Sequence, residues 1–481
     1  MNKLVISLFT VCMICVSCDV TDVSDLNENE KAPADVPADP LFTNAQVALS
    51  DFIHNSNVNV NIFKLLAQHW TTTTYTAEPR YEVDSRTIPS NVWTLLYRDV
   101  LNDLQEARTK IEENQALEEG ARQNRLASVE VITVMAYSML VNLFGDIPYT
   151  DALDAENTLP AYDDAETIYM DLMERLDAAI EMFDPESDGF GAADVYYSDA
   201  ADPIQSWIRF ANSLKLRMAI TIADVNPTAA ETAIVEAAPN AISSNDENAL
   251  IRFTAAPPHA NPVWEALVQS GRDDYLPAAP LVDRMNELED PRREVFFTEF
   301  NGEYVGGVYG AVNDYTQYSH FSELIEEPAR PGVVLEYAEV EFILAEAAAR
   351  GYGVSGTAEE HYNNAIEADM QYWEVPQAEI DAYLAQPEVA YDTGGDYREQ
   401  IGLQKWVALV LQGLRSWTEY RRLDTPELEA PADAAVDQVP TRYTYPINEQ
   451  NFNQTNYEEA AGNIGGDELT TPLFWDVNGG S

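Results

Sequence analysis

Apolar side chains recur at helical spacing along most of this chain, and this pattern constrains the fold more than any other feature of the sequence. Leu96, Val100 and Leu104, for example, follow one another at i, i+4 and i+8, which places them on one face of a helix. The same kind of pattern predicts helices over 41–70, 92–111, 127–144, 165–183, 205–223, 228–238, 335–350, 357–373 and 403–422. The predicted fold class is therefore mainly α.

The predicted helices tend to come in pairs separated by turns that carry Pro or Gly, which is typical of a helical repeat layout. Long stretches without helical periodicity lie between them, at 71–91, 184–204, 240–334, 374–402 and 424–481. Long loops of this kind are usually functional. Since no low-complexity linker divides residues 41–481, we predict one large domain, in which a helical scaffold carries an irregular, loop-rich region with the ligand site.

The N-terminus has the pattern of a lipidated export signal. Lys3 precedes an apolar run from Leu4 to Val16, which is too short for the roughly 20 apolar residues that a membrane span requires. The run ends in Val-Ser-Cys, similar to a lipobox. Residues 1–17 are therefore predicted to be a signal peptide, with Cys18 as the lipidated N-terminus of the mature chain. Cys12 and Cys15 would leave with the signal, so no disulfide is expected.

Residues 18–40 are predicted to form a tether between the lipid and the folded domain. The segment is rich in Asp, Asn, Ala and Pro and poor in large apolar groups, so it cannot bury enough surface to fold alone. No later stretch is expected to cross a membrane as a helix, because none of that length is free of charged residues. Multiple acyl chains would then hold the protein on the surface of a bacterial envelope.

The charge balance excludes several classes of partner. The chain has 82 Asp and Glu against 27 Lys and Arg, which gives a formal net charge of −55. Nucleic acids and anionic lipid surfaces are bound by clustered Lys and Arg, so neither is a predicted partner. Neutral or cationic ligands are favoured over polyanions. A saline habitat is expected, since salt screens the self-repulsion of so acidic a chain.

No motif of a known catalytic chemistry stands out. The sequence lacks a His-Glu-x-x-His zinc motif, a phosphate loop, a nucleophile elbow and an EF-hand loop. The histidines at positions 54, 69, 259, 320 and 361 show no ligand spacing. Carboxylate pairs such as those of glycoside hydrolases would arise by chance among 82 acidic residues. We therefore predict that the protein is not an enzyme and binds no cofactor or metal ion.

Aromatic residues in the loop-rich stretches are the better indication of a ligand site. The C–H face of a sugar packs flat against an aromatic ring, whose negative face favours those hydrogens. Trp70 opens a polar segment that also carries Tyr75 and Tyr81, while Trp264 and Tyr309 lie in the longest loop-rich stretch. These five are the predicted ligand-binding residues. For each of them the alternative is packing in the core, which is what we predict for the tryptophans of the helices.

Several segments, taken in order, resemble the SusD/RagB family of nutrient-binding lipoproteins of the Bacteroidetes. The matching segments are 144–153 (FGDIPYTDAL), 210–217 (FANSLKLR), 337–347 (YAEVEFILAEA), 404–422 and 442–446, followed by the Trp-Asp pair at 475–476. Each motif is weak alone, but together and in this order they are specific. Residues 261–292, from Asn-Pro-Val to Asp-Pro-Arg, are similar to the SusD-like 2 branch.

This resemblance implies a fold of tetratricopeptide-type helix pairs plus an irregular part. It implies a lid on a SusC-like TonB-dependent transporter in the outer membrane, facing the cell exterior, with loops that bind an oligosaccharide without cleaving it. Ligand residues vary across the family, so none is carried over by position. The five predicted aromatic residues therefore rest on their place in loops alone.

Two other functions stay open beside the oligosaccharide-binding lid. A peptide-binding lid, as in the RagB branch, needs backbone hydrogen-bond partners along a cavity more than flat rings. A surface glycoside hydrolase needs two carboxyl groups at a suitable distance. The leading hypothesis is a lid protein for a neutral glucan or a similar plant or algal polysaccharide, which suits the acidic surface.

Overall fold

The computed structural model describes residues 36–477, and helices dominate this part of the chain. The strands are β1 (Trp70–Thr72), β2 (Ala249–Ile251), β3 (Tyr275–Pro277) and β4 (Gly332–Leu335). The helices are α1 (Ala38–His54), α2 (Phe63–Leu66), α3 (Ile88–Thr94), α4 (Asn102–Glu113), α5 (Glu119–Phe144), α6 (Ala165–Met182), α7 (Pro203–Thr221), α8 (Pro227–Ala237), α9 (Pro262–Trp264), α10 (Ala279–Glu287), α11 (Arg292–Phe296), α12 (Tyr337–Ala349), α13 (Ala358–Tyr372), α14 (Gln377–Leu384), α15 (Tyr397–Ala408), α16 (Gly413–Leu423), α17 (Ile447–Phe452) and α18 (Gln454–Asn463). The predicted mainly α class is confirmed.

Within the described residues, the chain from Ala38 onward forms one compact unit. Helix α1 begins at Ala38, so the last residues of the predicted tether are helical. The predicted signal peptide, Cys18 and the tether up to residue 35 lie outside the described residues.

Consecutive helices pack as pairs, with α5 against α6, α7 against α8, α12 against α13 and α15 against α16. Local sequence signals define the ends of these helices. The Asp164 side chain accepts a hydrogen bond from the backbone N–H of Thr167 at the start of α6. Thr357 and Glu360 form a reciprocal capping box at the start of α13. Such caps satisfy backbone donors that the first turn of a helix leaves without partners.

Helix α5 is the core helix of the scaffold. Of the helices in residues 36–477, it alone is long and apolar enough to cross a membrane by length and composition, and 89% of its apolar window is buried inside the protein. Glu130 lies inside this window, so the stretch is not free of charged residues. Its apolar residues are used for packing, because α4, α6 and α7 all contact it.

Two predicted helices are each divided into shorter elements. The helix predicted over 41–70 ends at His54, since the Asn55 and Asn57 side chains accept backbone N–H bonds two residues ahead and stabilise turns. The helix predicted over 403–422 is α15 and α16. A side chain at Gly413 would place its Cβ 2.4 Å from the backbone nitrogen of Lys64, so only glycine allows this close approach.

A buried ion network joins α7, α12, α15 and α16. Arg422 contacts the carboxylates of Glu346 and Glu419 at 2.5 and 2.6 Å. Although burial alone would raise it, the cations around Glu419, with Arg422 first, hold the pKa of that carboxyl well below its ordinary value. The buried members are Arg217, Glu339, Glu346, Lys405, Arg415, Glu419 and Arg422.

Glu336, just before α12, provides a test of stability against pH. Burial, together with the nearby Asp369 carboxylate, raises the pKa of Glu336 from 4.5 to about 8. The unfolded chain ionises this group near pH 4.5, so the native protein loses stability as the pH rises from there to 8. Glu336→Gln should therefore raise the unfolding free energy by about 1–3 kcal/mol at pH 8 and leave it unchanged near pH 4.

Urea unfolding of both proteins at several pH values measures this difference. Glutamine keeps an oxygen to accept the hydrogen bond from Gln412, so the packing at this position is preserved. The exposed Glu323→Gln is the matched control and should show no such pH trend. A Glu336→Gln effect of the same size at pH 4 and pH 8 would contradict the raised pKa.

Candidate functional site

A short two-stranded ribbon positions the candidate site. β1 pairs antiparallel with β3, with Trp70 opposite Pro277 and Thr72 opposite Tyr275. The pairing continues past the strands, because the Thr73 N–H donates to the Asp274 carbonyl at 3.0 Å and the Thr73 hydroxyl donates to the Asp273 carbonyl at 2.6 Å. The ribbon therefore brings the loops after β1 and before β3 to one place.

At this end of the ribbon lies a cleft of about 340 Å³, which we call the Tyr75 cleft. Small-molecule sites in proteins occupy about 300–1,000 Å³, so the size is sufficient for a ligand. The lining residues are Val58, Thr72, Tyr75, Glu78, Arg86, Arg272, Asp274 and Tyr275.

One wall of the Tyr75 cleft combines an aromatic ring with an ion pair. Tyr75 is 50% exposed, and the Arg272 guanidinium lies 5.5 Å from the centre of its ring. Arg272 donates to both carboxylate oxygens of Asp274, at 2.5 and 3.1 Å. Asp274, and then Tyr75, hold the pKa of Arg272 above its ordinary value. The bidentate geometry fixes the guanidinium plane beside the ring.

Two buried polar atoms beside the cleft lack a hydrogen-bond partner within residues 36–477. The Arg86 guanidinium donates to one oxygen of the buried Glu78 carboxylate. Within the described part of the chain, the other Glu78 oxygen and the Thr72 hydroxyl are buried without a hydrogen-bond partner. Neither atom is open to solvent, so the polar groups that a ligand can reach are the partly exposed side chains of Arg86, Arg272 and Asp274.

The charges of the cleft cancel. Its lining has two carboxylates, on Glu78 and Asp274, and two guanidinium groups, on Arg86 and Arg272. Each carboxylate is paired with one of the arginines. The arrangement therefore suits an uncharged ligand. In residues 36–477 there is also no group of three or more His, Cys, Asp or Glu side chains placed to hold a metal ion.

Of the predicted ligand-binding residues, Tyr75 lines the cleft, while Trp70, Tyr81 and Tyr309 lie behind it. Trp70 is 1% exposed and is packed between Tyr275 and Phe321, with ring centroids 5.3 and 4.6 Å away. This burial leaves no ring face of Trp70 open to a sugar.

Tyr81 is fully buried, and its hydroxyl accepts a hydrogen bond from Gln68. Tyr309 is partly buried and donates its hydroxyl hydrogen to the Leu65 carbonyl at 2.7 Å. Burial raises the pKa of both tyrosines, and the two hydroxyls are close enough to interact. Like Trp70, these rings support the loops and do not offer an open platform.

Trp264 is partly exposed at the end of α9 and is not among the residues that line the Tyr75 cleft. Sequence reasoning missed the polar residues Thr72, Glu78, Arg86, Arg272 and Asp274. No local pattern marks them, because they come together only through the pairing of β1 with β3.

Comparison with known proteins places this fold among the SusD-like structures. A chitin-binding protein of known structure is 26% identical, with a TM-score of 0.79 over 92% of this chain and 100% of that one. A SusD homologue from Bacteroides uniformis is 25% identical, with a TM-score of 0.75 over 91% and 99% of the two chains. A chitin-binding SusD homologue from Flavobacterium johnsoniae shares the fold at 22% identity, a TM-score of 0.75, and 92% and 98% coverage.

The sequence itself shows the family. Residues 30–446 match the SusD-like 2 family, which is described as starch-binding and associating with the outer membrane. The chain belongs to this family, so the resemblance predicted from the sequence motifs is confirmed. No functionally curated protein is similar enough in sequence to count as a match. The family description is one of carbohydrate binding, not of catalysis.

Proposed function

We propose that this protein binds neutral oligosaccharides in the Tyr75 cleft and delivers them to a SusC-like TonB-dependent transporter. A lipid anchor on Cys18 would hold it on the exterior face of the outer membrane. The family is described as starch-binding, and a structural relative at 26% identity is named as chitin-binding. Starch and chitin are both uncharged polymers, which fits a cleft whose charges cancel.

The observation that carries this proposal is an exposed ring beside partly exposed arginine and aspartate side chains. A sugar ring would place its C–H face on Tyr75, which is half exposed. Its hydroxyl groups would accept from Arg86 and Arg272 and donate to Asp274, whose side chains are partly exposed in the lining. An aromatic platform with a few converging polar groups is the usual composition of a small-ligand site.

The two other functions are less well supported by the cleft. Glycoside hydrolysis needs one carboxyl that delivers a proton to the leaving oxygen. One oxygen of Glu78 and both oxygens of Asp274 already accept a hydrogen bond from an arginine. Peptide capture needs main-chain partners along a cavity, whereas the ring contact and the ion pair of this cleft are made by side chains.

Tyr75→Ala should weaken oligosaccharide binding by about 1–3 kcal/mol, by analogy with base–aromatic stacking, and leave the fold intact. In dissociation constant this is about 5- to 150-fold. Calorimetric titration with chitohexaose, maltohexaose and cellohexaose measures the change. Phe452→Ala is the matched control, because this ring is 75% exposed on α17 and does not line the cleft.

The same titrations separate the competing functions. Unchanged affinity in Tyr75→Ala for a hexasaccharide that the native protein binds would show that the ligand lies elsewhere. Binding of peptides and of none of the sugars would favour the peptide-binding lid. Release of reducing ends from soluble polysaccharide by the pure protein would make it a hydrolase.

A further inference from the structure

A second cleft lies next to the Tyr75 cleft, with a volume of about 530 Å³. One wall is the start of α3, which contributes Thr87, Pro89 and Ser90. The opposite wall is the segment that leads into α17, including Pro446 and Ile447. Helix α18 and the chain after it close one end of the second cleft. The cleft is therefore built from residues 84–90 and 444–468, which are far apart in the sequence.

The lining of the second cleft combines apolar surface, an aromatic ring and polar groups, as sugar sites do. Pro89 and Pro446 are buried, Ile447 is 50% exposed and Tyr457 presents a partly exposed ring. Ser90 and Gln450 add polar groups to this apolar surface. Tyr457 is held in place by an edge-on contact with the Tyr445 ring, whose centroid is 5.9 Å away.

The charges of this cleft disfavour anions. Its lining includes Asp84, Asp467 and Glu468 but no Lys or Arg. The negative charge of Asp467 is compensated within the protein. Its carboxylate accepts hydrogen bonds from the Arg442 guanidinium at 2.7 Å and from the Tyr445 N–H at 3.0 Å. Asp84 and Glu468 are exposed at the rim as hydrogen-bond acceptors. A neutral molecule rich in hydroxyl donors matches this set of groups.

The two clefts share one wall, the turn Asp84–Arg86. The Arg86 side chain lines the Tyr75 cleft, while Asp84 and Thr87 line the second cleft. Neighbouring Cα atoms are about 3.8 Å apart, so the two lining surfaces begin within a single turn of each other. The two clefts therefore lie on either side of this turn.

We propose that the second cleft is a further subsite for the same glycan chain, so that the protein reads an extended oligosaccharide and not a single sugar unit. The inference rests on the proposed function of the Tyr75 cleft. Contact with two subsites joined by one chain raises the affinity for long oligosaccharides, because the second contact is intramolecular once the first has formed.

Titration of the full chain with chito-oligosaccharides and malto-oligosaccharides of two to eight units tests this proposal. Tyr457→Ala removes the ring of the second cleft, and Ser90→Trp fills the cleft without removing a packing contact of Tyr457. Both variants should bind the longest oligosaccharides about tenfold more weakly and bind the disaccharide as the native protein does. Phe452→Ala, at the end of α17 and outside both clefts, should change the affinity for neither oligosaccharide.

The outcomes for the two clefts are distinguishable. Unchanged affinity for the octasaccharide in Ser90→Trp would overturn the second subsite, as would an equal loss for the disaccharide and the octasaccharide. Tyr75→Ala should weaken all lengths. If instead the disaccharide is insensitive to Tyr75→Ala, the proposed function of the Tyr75 cleft fails, whatever the second-cleft variants show.

Discussion

Trp70→Ala is expected to lower the free energy of unfolding by about 3–5 kcal/mol, the range for removing a large aromatic side chain from a core. Trp70 is 1% exposed and lies between the rings of Tyr275 and Phe321, so its loss leaves a cavity in the support of the β1–β3 ribbon. The Lys64 ammonium, 5.5 Å from the centre of the indole ring, would also lose that contact. Urea unfolding followed by fluorescence measures the change.

The stability and binding of Trp70→Ala are to be compared with those of Tyr75→Ala. Tyr75 is half exposed, so its removal should change stability by less than about 1 kcal/mol while it weakens oligosaccharide binding. Trp70→Ala, measured where the protein is still folded, should affect binding only through displacement of Tyr275. A Trp70→Ala protein that keeps the native stability and loses binding would contradict this structural role of Trp70.

Arg422→Ala is expected to destabilise the fold by about 3–5 kcal/mol, because it leaves two buried carboxylates without their principal cation. Arg422 contacts Glu346 and Glu419 at 2.5 and 2.6 Å, and all three side chains are buried. The matched control is Arg284→Ala, which breaks an exposed pair with Glu287 and should cost about 0–1 kcal/mol.

The pH dependence of this loss follows from the same ion pairs. Although burial opposes it, Arg422 holds the pKa of Glu346 below its ordinary value, and that of Glu419 well below. A carboxyl with a lowered pKa stabilises the native state above its unfolded pKa, and this contribution is lost as the pH falls through the folded pKa. The deficit of Arg422→Ala should therefore be largest near neutral pH and shrink in acid. A deficit that is independent of pH would mean that packing, and not charge, explains it.

The sequence predicts the scaffold better than the site. Regular apolar spacing and capping residues place α5, α6, α12 and α13 within a few residues of their observed ends, apart from an earlier start of α5. Periodicity fails where backbone contacts between distant segments decide the outcome. At Gly413, for example, the approach of Lys64 divides what reads as one apolar helix.

The aromatic prediction shows the limit more clearly. Residue type and loop position single out Trp70 and Tyr75 equally, but packing against Tyr275 and Phe321 buries the first, while the second stays half exposed. No local sequence pattern marks Glu78 or Arg272, since the chain is acidic throughout. The ion pairs of Glu78 with Arg86 and of Arg272 with Asp274 are features of the folded state. Exposure and pairing are properties of the three-dimensional arrangement, which composition does not encode.

The β1–β3 ribbon also determines at which stage of folding the Tyr75 cleft forms. Its hydrogen bond between Thr73 and Asp273 spans 200 residues, so the ribbon is a contact of very high sequence separation. Closing so long a loop costs chain entropy that only a largely formed scaffold can offset, and such contacts form late in folding. A growing chain that has not yet reached Tyr275 therefore has half of a binding surface, and glycan affinity would report the completion of folding.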